Sequence, residues 1–319
     1  MNKHVMRADW LLLITAMIWG CAFVAQRSGM KFMGPFTFNG LRFTLGAAAL
    51  MPLIVWRRRR YGIPIRMGVW FPDLDFTRKG LLLGGILFCG ASLQQIGMVH
   101  TTAGKGGFIT GLYVILVPIF GLLRGRRPGW SVWIASILAI IGMYLLSMTD
   151  AFTMDTGDLW VLASAFFWAL HVMTIGWLSP QIDTVQLACA QFWVCAVLSL
   201  IAAGTTETVS CEAVLKGTIP ILYGGLLSVG IAYTLQVAAQ KDAPPTHAAI
   251  ILSLETVFAA VAGWLILKEP MTSRSVSGCI LMLAGMVIVQ LRPASQKPDI
   301  PIHNMEYAPG ITHIEGVRK

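Results

Sequence analysis

The chain has 319 residues, 56% of them hydrophobic and only 12% charged, with a mean hydropathy of +0.69. A soluble domain carries about 25% charged residues, so most of this chain lies in lipid. The net charge of +9 does not signal nucleic acid, because Lys and Arg cluster between apolar stretches, as in the cytoplasmic connections of membrane proteins.

A hydrocarbon core roughly 30 Å thick takes roughly 20 apolar residues per helix. Ten such stretches follow one another: 9–28, 35–56, 79–99, 106–123, 130–148, 158–178, 184–203, 217–239, 246–267 and 273–291. With the amino terminus inside, the cytoplasmic segments hold 17 of the 24 Lys and Arg. These are Lys3 and Arg7, Arg57 to Arg60 with Arg66, Arg78 and Lys79, Arg124, Arg126 and Arg127, Lys241, and Arg292, Lys297, Arg318 and Lys319. The connection after the fifth stretch instead carries Asp150, Asp155 and Asp158, as an external loop does. Both termini are then cytoplasmic. The later half has no Lys or Arg between 178 and 184, so its orientation follows from the strongly biased first half.

The first and sixth stretches repeat one another. Residues 9–43 superimpose on 158–192 at a constant spacing of 149, matching Asp9 to Asp158, Ala16 to Ala165, Trp19 to Trp168 and Arg42-Phe43 to Gln191-Phe192. Five spans per half, an odd number, insert the second half upside down. The expected fold is an all-α integral membrane protein of ten transmembrane helices in two inverted five-helix repeats, 1–150 and 151–291. A tail over 292–319, with Pro293, Pro298, Pro301 and Pro309 and no apolar periodicity, reads as a disordered cytoplasmic segment.

Duplicated hydrophobic halves are the usual build of secondary transporters, with the site where the halves meet. An ionisable group in a span is costly unless it faces water or a partner, so such groups are the site candidates. Arg42 can fork onto a carboxylate or phosphate; snorkelling to headgroups or pairing with Glu255 is the structural alternative. Glu255, some ten residues inside the ninth stretch, suits an amine or a coupling proton, against a role in helix packing. His171 follows Trp168 by three positions on one helical face and titrates near neutral pH in its unperturbed form; satisfaction by a neighbouring helix competes with a proton-shuttling role. Trp19 and Trp168 suit opposing cavity walls or packing near the pseudo-axis. Gln94, Gln95, Tyr113, Gln191, Tyr233 and Gln236 can bond a polar cargo or equally a neighbouring helix.

Other features read as structure. Glu269, His100 and His247 lie at span ends, where solvation or interface anchoring is the default, and Trp10, Trp56 and Trp130 look like interface belts. Five of the six cysteines fall inside spans, so free thiols are expected rather than a disulfide framework, and Ile18-Trp19-Gly20-Cys21 reads as part of an uncleaved first span. Gly107, Gly111, Gly121 and Gly125 suit close helix packing, within one protomer or in a homodimer. Gly104-Lys105-Gly106 lacks the flanking residues of a phosphate loop. No metal, cofactor or ATP motif is expected, leaving an ion gradient, with protons a candidate, or the cargo's own gradient as the driving force.

At superfamily level the chain resembles the drug/metabolite transporters, specifically the bacterial EamA-type ten-span group. The resemblance covers 9–291 and rests on Trp19-Gly20-Cys21-Ala22-Phe23, Arg42-Phe43, Thr101-Thr102-Ala103-Gly104, and Ser253-Leu254-Glu255 through Lys268-Glu269-Pro270. The chain departs from the pattern at Arg127, where that group usually has Glu, and in the shorter stretch from Pro118 to Pro128. The resemblance implies a cytoplasmic-membrane protein with a substrate cavity between its halves, opened alternately to each side, and export of a small metabolite such as an amino acid. The rival readings are a non-transporting receptor or scaffold and a membrane-embedded enzyme; the latter would need clustered His, Asp or Cys, whereas His171 and Glu255 are lone residues in different halves.

Overall fold

The computed structural model describes residues 3–60, 74–125, 128–147, 156–268 and 271–291. Arg66, Arg126, Arg127, Asp150, Asp155, Glu269 and the tail over 292–319 lie outside the described residues. Among the described residues the chain is helical with no strand. The long helices are α1 (Lys3–Gly29), α2 (Pro35–Arg60), α3 (Leu74–Gly97), α4 (Ala103–Leu123), α5 (Trp130–Ser147), α6 (Thr156–Leu178), α7 (Thr184–Thr206), α8 (Thr218–Ala239), α9 (Pro245–Ile266) and α10 (Ser273–Leu291). Eight of them are long and apolar enough to cross a membrane; α5 and α10 are apolar over shorter stretches.

Several helices outrun the apolar stretches that mark them. Helix α2 continues through Arg57, Arg58, Arg59 and Arg60 in its last turn, where four cations meet the negative end of the helix dipole. Helix α7 starts where the Asp183 carboxylate accepts from the backbone N–H groups of Val185 and Gln186. Helix α4 starts where the Thr102 hydroxyl accepts from the N–H of Lys105. Two helices are interrupted midway. Helix α4 breaks at Leu112, between Ala103–Gly111 and Tyr113–Leu123, and α9 breaks between Pro245–Leu252 and Glu255–Ala262. Within α8, Tyr223–Tyr233 winds as a wider π-helix.

The helices pack in a crossed pattern: α2 lies along α7 and α8, α3 along α6 and α7, α1 along α8 and α9, α4 along α6 and α9, and α5 along α10. Glycines let the backbones approach, as lipid-embedded helices require. A Cβ on Gly20 would stand 2.4 Å from the Phe258 Cβ, one on Gly46 2.3 Å from the Val229 Cγ1, and one on Gly84 2.5 Å from the Val194 Cβ. Gly107 packs on Ala259 and Gly111 on Met143 and Thr256, so both are used inside this chain. Trp10, Trp56 and Trp130 are 61%, 55% and 84% exposed, in keeping with an outward belt. All six cysteines are free thiols, with Cys211 the exposed one.

A candidate site in a cavity shared by seven helices

The crossed packing leaves a cavity with about 460 Å³ of empty space, counted out to its open mouth. Helix α1 contributes Trp19, Phe23 and Gln26; α2 Arg42; α3 Gln94; α4 Thr110 and Tyr113; α6 Trp168 and Val172; α8 Ser228, Tyr233 and Gln236; and α9 Leu252 and Glu255. Both helix interruptions open onto it. Tyr113 and Glu255 are the first residues after the breaks in α4 and α9, so each side chain is delivered by a helix that restarts at the cavity wall.

Tyr233 is the centre of the aromatic wall. Its ring lies 4.6 Å from Trp19, 6.2 Å from Trp168, 6.1 Å from Phe43 and 5.9 Å from Phe192, centroid to centroid. The Trp19 indole N–H donates to the Ser228 carbonyl at 3.2 Å, whereas the Trp168 indole Nε1 has no hydrogen-bond partner. The two tryptophans thus flank one tyrosine in the cavity wall.

Arg42 is only 2% exposed. Its Nε donates to the Asn39 Oδ1 at 3.0 Å, and the Asn39 amide donates to the Ala91 carbonyl at 3.1 Å. The guanidinium lies over Phe43 at 4.9 Å and Phe38 at 5.4 Å. The side chain is therefore held at its Nε edge and its faces. Among the described residues it forms no ion pair with Glu255 or any other carboxylate, and its burial rules out snorkelling. Glu255 is 4% exposed, with the Tyr113 hydroxyl beside it. The cavity also carries unused hydrogen-bonding capacity: the Gln26 Oε1, Thr110 Oγ1 and Gln236 Oε1 are buried without a partner, where buried polar groups are normally bonded.

Of the eleven residues singled out from sequence, Arg42, Glu255, Trp19, Trp168, Gln94, Tyr113, Tyr233 and Gln236 line this cavity, Gln95 does not, and neither do His171 and Gln191. Those two bond each other, His171 Nε2 to Gln191 Oε1 at 2.7 Å, behind Trp168 and Tyr233, against whose rings the imidazole stands edge-on. Gln95 is also buried away from it, its amide on the Gln26 carbonyl at 3.4 Å. His247, read as a solvated span end, is instead 6% exposed and meets Asp9 at 2.7 Å. Sequence reasoning passed over Gln26 and Thr110. The signal for Gln26 was its position seven residues after Trp19, on the same helical face.

The lining also pairs up by spacing. Trp19 and Trp168, and Phe23 and Val172, stand 149 apart; Gln94 and Gln236, Thr110 and Leu252, and Tyr113 and Glu255 stand 142 apart. Arg42 has no such partner, since Gln191 is turned to His171.

A family model described as the EamA-like transporter family matches residues 6–148 and again 155–291. The chain is 30% identical to an uncharacterized transporter of Archaeoglobus fulgidus, covering 89% of this chain and 86% of that protein. It is 24% identical to a probable terminal-alkyne amino-acid exporter of Streptantibioticus cattleyicolor, over 91% of this chain and 96% of that one, and 23% identical to the uncharacterized transporter YoaV of Bacillus subtilis, over 86% and 94%. A crystal structure with 17% identity superimposes with a TM-score of 0.73 over 89% of this chain and 96% of the other, a likeness of fold. A multi-pass membrane transporter of the drug/metabolite superfamily, not an enzyme, accounts for the helices, the cavity and these relatives alike, and the chain belongs to the EamA-like transporter family.

Proposed function

We propose that this chain is a secondary transporter of a bacterial cytoplasmic membrane, exporting a small zwitterionic metabolite such as an amino acid by alternating access. The single observation that carries the reading is the cavity itself, in which a basic Arg42 and an acidic Glu255, not bonded to each other, face one space walled by Trp19, Trp168 and Tyr233. Arg42 holds the cargo's carboxylate with a guanidinium whose terminal nitrogens are left to it. Glu255, with the Tyr113 hydroxyl, receives the ammonium group. The aromatic wall packs the aliphatic part, and Gln26, Gln94 and Gln236 complete the polar shell, as sites with a few placed polar groups in an apolar pocket do.

In this reading the two halves, 1–150 and 151–291, are inverted repeats of five spans each, α5 and α10 included, with both termini cytoplasmic. Support comes from three sides. The family model matches once in each half. The cavity lining recurs at fixed spacings. Helix contacts also exchange under the swap of first and second half: α3 on α6 answers α8 on α1, α3 on α7 answers α8 on α2, and α4 on α6 answers α9 on α1. Interrupted helices at the site are the usual means by which repeat-built transporters present polar groups at mid-membrane. The name of the Streptantibioticus relative supports an amino-acid cargo and outward movement.

The test is flux from a mixed metabolite pool in proteoliposomes, read by mass spectrometry for wild type, Arg42→Gln and empty vesicles, with and without an imposed proton gradient. Wild-type movement of free amino acids that is lost in the variant supports the reading. Movement of an unrelated compound class, or of none with folded protein, overturns it.

A further inference from the structure

Two contacts of buried aspartates with basic side chains stand in matching places outside the cavity. Asp158, in the first turn of α6 and 1% exposed, takes the Lys105 ammonium at 2.9 Å and the Thr101 hydroxyl at 2.6 Å. Asp9, on α1 and 6% exposed, meets the Nε2 of His247, also 6% exposed, at 2.7 Å. The carboxylates are counterparts, 149 residues apart. So are their partners. Lys105 is the third residue after the cap Thr102 of α4, and His247 the third after the cap Pro244 of α9, at the same 142-residue spacing that relates Tyr113 to Glu255.

Each contact ties one half of the chain to the other, α6 to α4 and α1 to α9. Each lies one side of the cavity: Asp9 is ten residues before Trp19 on α1, and Asp158 ten residues before Trp168 on α6. If the second half is inverted, as the proposed function has it, the same offset carries the two contacts to opposite membrane faces. His247 and Lys105 likewise precede Glu255 and Tyr113 by eight residues each. Each contact therefore joins two helices that line the cavity, α4 to α6 and α1 to α9.

We infer that Asp158–Lys105 and Asp9–His247 are the outer and inner gates of the transport cycle, one opening while the other holds. Both contacts are made in this structure. The gates differ in kind: an ammonium at one end, an imidazole at the other. Neither touches the cargo, so all four are positioning residues, and they act by setting which face of the cavity is open.

The test reads side-specific access and needs no cargo. A thiol is placed in the cavity as Ser228→Cys, and its alkylation by a membrane-impermeant maleimide is timed in right-side-out and inside-out vesicles, with the parent protein as the background for the six native thiols. Adding Asp158→Asn is expected to speed labelling severalfold from the outer face only, and adding Asp9→Asn from the inner face only. The reversed pair Lys105→Asp with Asp158→Lys is expected to return labelling to the starting rate. Lys105→Met and His247→Gln, which leave the acidic partners in place, serve as second variants should an aspartate substitution prevent folding. Equal acceleration from both faces, or none, in folded protein overturns the proposal. Because labelling requires no substrate, gates that respond in a protein moving no amino acid would leave this inference standing and sink the cargo assignment instead.

Discussion

Arg42 and Glu255 face the same buried cavity from α2 and α9 without bonding to each other. Two opposite charges inside a membrane protein normally find each other, because each is costly alone. Here Arg42 is held by Asn39, Phe38 and Phe43 and Glu255 lies beside Tyr113. The separation is what allows a third party carrying both charges to lie between them.

Arg42→Gln copies the residue that stands at this register in the second half, Gln191. It removes a charged hydrogen bond to cargo worth about 1.5–3 kcal/mol, roughly a 10- to 100-fold loss of affinity. Because it also removes a buried charge, the variant should fold as well as wild type. Binding measured by isothermal calorimetry, with thermal unfolding alongside, checks both halves. Arg42→Lys should recover only part of the loss, since an ammonium lacks the planar fork.

Glu255→Gln should act on the other end of the cargo. Affinity for a free amino acid falls by a similar factor, while affinity for its N-acetyl derivative, which has no ammonium to lose, stays unchanged. A loss of equal size for both compounds would make Glu255 a structural residue.

At Gly20 the α1–α9 crossing leaves no room: a Cβ there meets the Phe258 Cβ at 2.4 Å and the Glu255 carbonyl oxygen at 2.7 Å. Gly20→Ala should therefore destabilise by about 1–3 kcal/mol, as overpacking does, and disturb cargo binding through the displaced Glu255 backbone. Gly85→Ala, with nothing within 4 Å of its Cβ, should be neutral. Thermal unfolding of the two variants in detergent decides the contrast.

Glu207 accepts from the N–H groups of Phe36 and Thr37 and from the Thr37 hydroxyl, at 2.8, 2.8 and 2.6 Å. It caps α2 from the end of α7. Glu207→Ala should cost about 0.5–2 kcal/mol, as lost caps do. Arg57→Ala removes only the exposed contact to Asp183 at 3.0 Å, 39% and 36% accessible, and should cost at most about 1 kcal/mol. Chemical unfolding of the two single variants compares them directly.

Most of the helical frame was readable from hydropathy and from the 149-residue spacing, since a span must be apolar along its whole length. The same property hid the site. A membrane helix has no polar face to give its buried side away, so Gln94, which lines the cavity, and Gln95, which does not, read alike. The interruption at Leu112 follows Gly111 directly, one glycine among many in these spans, and the one after Leu252 falls on Ser253 and Leu254, with no proline or glycine to mark it. His247 looked solvated because its partner Asp9 is 238 residues away. Gln191 looked like a cavity residue because Arg42 is one; the tertiary contact to His171 turned it aside.

The most direct measurement is counterflow in proteoliposomes with three forms of one compound: the free amino acid, its methyl ester and its N-acetyl derivative. If Arg42 and Glu255 grip opposite ends of a zwitterion, wild type exchanges the free amino acid far faster than either blocked form. Arg42→Gln then abolishes the preference over the ester, and Glu255→Gln the preference over the N-acetyl compound. Equal exchange of all three forms, or preferences that both variants retain, would contradict the account.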